Sequence, residues 1–161
     1  MLAATVDRHG WAVHAYCLMD NHYHLLLHTP EANLAAGMQQ LNANHAQRFN
    51  RLRNRPGHLF QGRYASSLVD SEAHLIQSAR YIALNPVRAG LCPTPERWRW
   101  SSYRATIGLD PGPEVLDPST LLGPFGSPDD RARRGFQAFV EDAMTAVVGG
   151  LRNVKGSDPE P

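Results

Sequence analysis

Two β-prone apolar runs, separated by a turn-forming dipeptide, lie near the start of the chain and limit the folds it can adopt. Residues 11–19 read WAVHAYCLM and residues 22–29 read HYHLLLHT, with Asp20 and Asn21 between them. β-branched, aromatic and other apolar side chains suit strands, and an Asp-Asn pair suits a tight turn. The Thr29-Pro30 pair ends the second run. The sequence therefore predicts a β-hairpin.

Three histidines occupy alternate positions along the second run. A strand points successive side chains to opposite faces, so His22, His24 and His28 share one face. Neutral imidazoles are common metal ligands, and two of them one pleat apart can reach a single ion. Ordinary strand histidines that bond to water or backbone are the commoner explanation of such a spacing. The spacing alone leaves both interpretations open, because a third ligand has to come from elsewhere in the chain.

Length and cysteine content bound the class of protein. The chain has 161 residues, the size of one domain with a sizeable core. Its apolar runs are too short for a membrane span, and the first residues do not resemble a signal peptide. Cys17 and Cys92 are too few and too isolated for a disulfide framework or a zinc knuckle. We therefore expect a cytoplasmic protein with reduced thiols and no membrane partner.

The small net charge of +1 conceals a basic central block. Residues 44–104 carry ten arginines against three acidic residues, which gives +7. Residues 1–43 carry −2 and residues 105–161 carry −4. A GC-rich genome accounts for arginine in place of lysine, but not for the shortage of acidic residues beside it. The block therefore favours a polyanionic partner.

Residues 33–55 have the periodicity of an amphipathic helix. Its apolar stripe recurs at steps of three and four, at Leu34, Met38, Leu41, His45, Phe49 and Leu52. His45 is interpreted here as a core histidine rather than a ligand. A basic ridge of Arg48, Arg51 and Arg55 follows the same spacing on another face. Residues 58–69 are expected to form a turn leading into a strand.

A second helix is predicted from a cap at Asp70 or Ser71, and Pro86 is expected to end it at about Asn85. Tyr81 and Asn85 lie four residues apart on its polar row, about one turn from each other. An amide oxygen is a suitable ligand for Mg²⁺ or Mn²⁺, and a nearby phenol could attack a phosphate. Spacing alone favours the simpler interpretation of an exposed aromatic residue and a helix-ending amide. Residues 108–128 have a linker-like composition, and a late helix is expected after them.

Four sequence blocks together resemble a known family. They are residues 15–42, 57–64 (GHLFQGRY), 80–91 (RYIALNPVRAGL) and 98–103 (WRWSSY). In this order they are similar to the signature blocks of the insertion-sequence-200-like tyrosine transposases. The similarity is strongest to the branch associated with repetitive extragenic palindromes (REP), and it covers roughly residues 8–108.

The resemblance implies an activity and a set of roles. Members are HUH enzymes, in which two histidines flanking a hydrophobic residue bind a divalent metal, Mg²⁺ or Mn²⁺. The matching positions are His22 and His24, with Asn85 as third ligand and Tyr81 as nucleophile. His28 lies outside the motif. The implied reaction cuts single-stranded DNA beside a hairpin, leaving a 5′-phosphotyrosine link and a free 3′-hydroxyl. The arginines expected to bind DNA are Arg48, Arg51, Arg55, Arg63 and Arg88.

The implied fold is α+β, with a ferredoxin-like antiparallel sheet and packed helices. The family usually has Met-Pro-Asn-His before the first ligand, where this chain has Asp20 in place of proline. Against the family pattern we expect the first strand and part of the first helix to be missing. Residues 1–108 would form the catalytic domain, 109–155 a Pro/Gly-rich linker and helical extension, and 156–161 a disordered tail. The alternatives are an inactive hairpin-binding remnant and, less compatible with the arginines, a metalloprotein unrelated to DNA. A monomer and a homodimer are both compatible with the sequence.

Overall fold

The computed structural model describes residues 1–127 and 129–155, with the side chains of 146–155 excluded. The predicted tail, 156–161, lies outside the described residues. The described part contains two strands, β1 (Ala12–Leu18) and β2 (Tyr23–His28), in one sheet. Its helices are α1 (Leu2–His9), α2 (Leu34–Arg53), α3 (Glu72–Arg88), α4 (Tyr103–Thr106), α5 (Ser119–Leu122) and α6 (Asp130–Lys155). The predicted α+β class is confirmed.

The predicted hairpin is confirmed. Strands β1 and β2 are neighbours in the sheet and are joined by the short connection 19–22. The Met19 backbone N–H donates to the His22 carbonyl at 2.9 Å, which closes this turn. His22 therefore belongs to the turn, and β2 begins one residue after it.

The chain divides into two compact units. Unit 1 comprises Met1–Ala12 and Leu27–Val69, and unit 2 comprises Val13–Leu26 and the chain from Asp70 onward. In unit 1, α1 packs against α2. The buried Trp11 donates its indole N–H to Asn33 Oδ1 at 2.7 Å. Gly37 lies against the Trp11 ring, since an added Cβ would come within 2.2 Å of it. This glycine lets α2 approach the indole.

The interpretation of His45 as a core histidine is wrong, because the residue is exposed. Helix α1 has 8 residues and α2 has 20, so they are about 12 Å and 30 Å long. The shorter helix cannot cover the whole of the longer one, and the buried positions of α2 end at Leu41. The His45 ring instead contacts the rings of Phe49 and Phe60, at centroid distances of 6.3 and 6.0 Å.

The strand expected before Asp70 is also wrong. Residues 64–69 have no regular secondary structure, and Leu68 is 85% exposed. A strand needs a neighbour for its backbone groups and a buried face for its side chains. Among the described residues, this stretch makes no ladder with another strand.

Unit 2 supports β1 along its edge. Ser101 forms an antiparallel bridge with Cys17, and Leu116 forms a parallel bridge with Val13. The Leu18 N–H donates to the Trp100 carbonyl at 2.9 Å, and the Asp117 N–H donates to the Val13 carbonyl at 2.8 Å. The contacts of Cys17 and Leu18 fix the end of β1 that precedes His22, and those of Val13 fix its beginning.

The core of unit 2 forms where α3 packs on α6. Each helix contributes its apolar stripe, and side chains that are almost fully buried include Leu84, Val87, Leu121, Leu122, Phe136 and Val140. Helix α3 begins at the predicted cap, since Ser71 Oγ accepts from the His74 N–H at 3.2 Å. Because one face of α3 packs on α6, a different face of α3 is available for contacts with other parts of unit 2.

Helix α3 continues to Arg88 rather than ending at Asn85 as predicted. Proline at position 86 removes the hydrogen bond of its own N–H and crowds the carbonyl one turn earlier, but it leaves the N–H groups after it free to bond. The next turn is retained because the Ala89 N–H donates to the Asn85 carbonyl at 2.9 Å. Burial of Asn85, Pro86 and Val87 holds this last turn in place.

The Pro- and Gly-rich stretch from 108 to 127 packs within unit 2. It includes α5, whose Leu121 and Leu122 are 0% and 1% exposed. Its composition suggested a linker because proline and glycine are frequent in it, but the two buried leucines anchor it within unit 2.

None of the described helices is both long enough and apolar enough to cross a membrane.

Candidate functional site

The two predicted ligand histidines lie beside each other in unit 2. The ring centroids of His22 and His24 are 5.0 Å apart, with the planes nearly perpendicular at 89°. Asn21 Oδ1 lies 2.7 Å from His22 Nδ1. Since that oxygen can only accept, Nδ1 donates, and the lone pair of His22 is left on Nε2. A neighbour that fixes the tautomer in this way is typical of metal-binding histidines.

His24 carries a buried nitrogen that the fold does not satisfy. Its Nε2 is buried and has no hydrogen-bond partner among the described residues. Burial lowers the pKa of His24, and the neighbouring His22 lowers it further. Both causes favour the neutral imidazole, the form that binds metals. A buried polar atom without a partner is costly, which makes Nε2 a good position for a ligand atom.

Tyr81 lies against His24 and projects from α3. The centroids of the two rings are 5.7 Å apart, at an interplanar angle of 87°. Tyr81 is 49% exposed, although aromatic side chains are usually covered. Helix α3 therefore presents a phenol that touches a histidine on one side and remains open to a substrate.

Asn85 lies one turn after Tyr81 and is 9% exposed. Its Nδ2 donates to the Tyr81 carbonyl at 3.0 Å. Because the amide nitrogen is engaged with the backbone, the oxygen Oδ1 is the atom that a metal would use. The structure thus brings Asn85 to the helix face that also carries Tyr81.

Arg88 extends the same face by another turn. Its guanidinium carbon lies 4.8 Å from the centroid of the Tyr81 ring. Arg88 is one of the predicted DNA-binding residues, but its contact with Tyr81 was not predicted. The signal was present, since residues 81, 85 and 88 are spaced by four and three.

The other predicted DNA-binding residues lie in unit 1. Helix α2 carries Arg48 and Arg51, Arg55 follows it by two residues, and Arg63 lies in the loop beyond. All four are exposed. Arg53 stacks over Phe49, at 5.9 Å from the ring centroid. The end of α2 and the loop after it are thus a surface dense in positive charge.

The residues present fit a divalent metal by their chemistry. Two imidazole nitrogens and one amide oxygen are donors that Mg²⁺, Mn²⁺ and similar ions accept. The described residues contain no group of three or more His, Cys, Asp or Glu side chains suited to a metal. The candidate set differs from such a group because its third donor is an asparagine.

The surroundings of Tyr103 argue against a nucleophilic role for this residue. It is 2% exposed, and burial raises its pKa well above the usual range. Glu96 and Glu141 act in the same direction. A nucleophile has to reach the substrate and lose its proton, and both are unfavourable here.

Comparison with known proteins gives two matches. Residues 1–85, just over half of the chain, match the family described as "Transposase IS200 like". A curated Haemophilus influenzae protein, described as a candidate REP-associated tyrosine transposase, is 25% identical over 121 residues. That alignment covers 68% of this chain and 69% of the relative. No solved structure is significantly similar to the chain.

Proposed function

This chain belongs to the IS200-like transposase family, and we propose that it cuts and rejoins single-stranded DNA beside hairpins through a phosphotyrosine intermediate. The family makes it a transposase, a DNA-processing enzyme. The proposal adds the metal, the nucleophile and the form of the DNA. In it Tyr81 is the nucleophile, and His22, His24 and Asn85 hold one divalent ion, Mg²⁺ or Mn²⁺.

One observation carries the proposal: the ring of His24 touches both His22 and Tyr81. A candidate ligand pair and a candidate nucleophile from distant parts of the sequence are thereby adjacent within unit 2. The buried, unpartnered Nε2 of His24 adds support, because a bound ion would satisfy it. A divalent ion held there would polarise the scissile phosphate.

Tyr81 performs the covalent step. Its Oη attacks the phosphorus, an Oη–P bond forms, and the bond from phosphorus to the 3′ oxygen breaks. The phenol loses its proton, and the departing 3′ oxygen gains one, giving a 3′-hydroxyl. The DNA remains attached to protein through its 5′ phosphate. Exposure of Tyr81 supports this role, since the phosphate can approach the hydroxyl directly.

Arginines hold the substrate. Arg88 stacks on Tyr81 and would place a positive charge beside the attacked phosphate. Four further arginines in unit 1 would bind DNA phosphates; they are Arg48, Arg51, Arg55 and Arg63. Because arginines and not the metal ligands would contact the phosphates, DNA binding should persist when the metal ligands are removed.

The test is a cleavage assay on a labelled DNA hairpin with single-stranded flanks, with Mg²⁺ or Mn²⁺ and with chelator. We expect His22→Ala and His24→Ala to abolish cleavage while reducing DNA affinity much less. His28→Ala is the matched control, since His28 is an exposed histidine of the same hairpin. It should cleave normally.

Three results would contradict the proposal. Full cleavage by both ligand variants, or by the unsubstituted chain in chelator, would remove the metal from the mechanism. Tight hairpin binding without cleavage under any metal would identify the chain as an inactive DNA-binding remnant.

A further inference from the structure

Trp100 lies beside the end of β1, and its side chain is unexpectedly exposed. It is 52% exposed, whereas Trp11 is 4% exposed. The indole is the largest apolar side chain, and its exposure to water is unfavourable unless a partner covers it. The neighbouring Leu18 is 45% exposed. The two side chains are therefore candidates for a binding surface.

The backbone beneath Trp100 is held firmly. The Leu18 N–H donates to the Trp100 carbonyl at 2.9 Å. The indole N–H of Trp98 donates to the Leu18 carbonyl, also at 2.9 Å. Ser101 continues the pairing through its bridge to Cys17. Trp100 therefore lies in an ordered segment of unit 2, so binding of a partner would not carry the free-energy cost of ordering that segment.

Arg99 lies over the indole of Trp100. Its guanidinium carbon is 4.6 Å from the ring centroid, within the range of a cation–π contact. Arg97 and Arg99 are both exposed. The surface therefore combines an accessible aromatic plane with positive charge. This combination matches single-stranded nucleic acid, whose bases stack and whose phosphates are anionic.

The same end of the hairpin leads to the candidate metal ligands. Leu18 is the last residue of β1, and the turn after it closes through the bond from Met19 to His22. Trp100 pairs with Leu18, and only a short turn separates Leu18 from His22 along the chain. A DNA strand bound at the candidate active site would extend past this turn.

From these observations we propose that Trp100 and Arg99 form a stacking site for an unpaired base of the single-stranded DNA substrate. The inference rests on the proposed function and deepens it, because it assigns a contact to a base where the arginines contact phosphates. Stacking tolerates any base, so the site supplies affinity with little sequence preference.

The test measures binding of a single-stranded oligothymidylate in the Tyr81→Phe background, where no covalent link can form. Trp100→Leu should raise Kd by about 5- to 150-fold, the range expected for loss of one stacked base. Trp100→Phe should recover most of the affinity, because it retains an aromatic plane. Leu109→Ala, which truncates another exposed apolar side chain (54% exposed), is the matched control and should bind normally.

A second measurement starts from a chain that retains Trp100 and changes the DNA instead. In a series of oligothymidylates that each lack one base, loss of the base at one particular position should weaken binding to the Tyr81→Phe chain. The chain that also carries Trp100→Leu should bind that oligonucleotide and the intact one equally well. Binding should also quench tryptophan fluorescence, and this quenching should be lost in Trp100→Phe.

The outcomes separate this inference from the proposed function. Unchanged affinity in Trp100→Leu, while the unsubstituted chain still forms its DNA adduct, would overturn the stacking site alone. Loss of self-association in Trp100→Leu at unchanged DNA affinity would identify an interface between copies and also overturn it. Absence of both oligonucleotide binding and adduct would overturn both proposals.

Discussion

The guanidinium carbon of Arg88 lies 4.8 Å from the centroid of the Tyr81 ring. The two residues are seven apart on α3, two turns along one face. Both side chains are exposed, so the contact faces solvent and any bound DNA. The guanidinium can restrict the orientation of the ring and offer charge to a phosphate at the same time.

Arg88→Ala should slow formation of the DNA adduct by about 10- to 100-fold, since even a shift of about 1 Å in a reacting group can cost on the order of a hundredfold. Arg88→Lys should recover part of this loss through its charge. The control is Arg80→Ala, which removes another α3 arginine stacked on an aromatic ring, here Phe139 at 4.3 Å. Rates would be compared by denaturing gels at saturating DNA. Equal slowing in the Arg80 and Arg88 variants would contradict a specific role for Arg88.

Asn85→Ala should lower activity and raise the metal concentration needed for half-maximal cleavage. It removes one of three proposed ligands but leaves both histidines. Asn85→Gln should recover activity, because it keeps an amide oxygen on the same helix face. Titration of Mn²⁺ at fixed DNA measures the shift. The same half-maximal concentration in the alanine variant would exclude Asn85 as a ligand.

Neutralising two of the unit 1 arginines, for example Arg48 and Arg51, should flatten the dependence of log K on log salt. The expected change is about 0.7 per lost phosphate contact on single strands. A double substitution of Arg131 and Arg134, exposed on α6, is the control and should leave the slope unchanged. Binding measured across a salt series gives both slopes. If the α2 pair has no effect, the DNA follows another surface.

Stability should depend on acid through Asp129. Its Oδ1 accepts from the Arg131 and Ala132 N–H groups at 2.9 and 3.1 Å, just before α6. The Ala132 N–H, followed by that of Arg131, holds the pKa of Asp129 below its usual value. A lowered folded-state pKa stabilises the fold above the unfolded pKa of about 4, and this contribution is lost as pH falls through the folded value.

The corresponding experiment is urea unfolding of Asp129→Ala beside the unsubstituted chain, from neutral pH to about pH 3. The variant should be less stable at neutral pH, and the difference should shrink as the pH falls below about 4. Asp142→Ala, an exposed carboxylate within α6, serves as control. A difference for Asp129→Ala that stays constant with pH would contradict the assignment.

Local patterns predicted the elements that depend on near neighbours. The Asp20-Asn21 turn gave the hairpin, and Ser71 gave the start of α3, because turns and caps are set by a few adjacent residues. Spacing also placed Tyr81 and Asn85 on one face of a helix. The adjacency of Tyr81 to His24 could not come from periodicity, since it depends on how α3 lies against the hairpin within unit 2.

The errors arose where tertiary packing decided the outcome. His45 continues a regular apolar stripe, yet α1 is too short to cover it. Residues 64–69 have strand-like composition but no neighbouring strand among the described residues. Pro86 disfavours a helix locally, and burial of the last turn of α3 overrode it. The unpartnered Nε2 of His24 has no sequence signal, because burial of one atom depends on the whole surrounding fold.

In the proposed mechanism Tyr81 becomes covalently linked to DNA, and peptide mapping of the adduct would identify the linked residue. The chain would be incubated with a hairpin substrate and Mn²⁺, digested, and analysed by mass spectrometry for a peptide carrying a nucleotide. We expect a 5′-phosphate on Tyr81 and no adduct in Tyr81→Phe. A nucleotide on Tyr64 or Tyr103, or an adduct that persists in Tyr81→Phe, would contradict it.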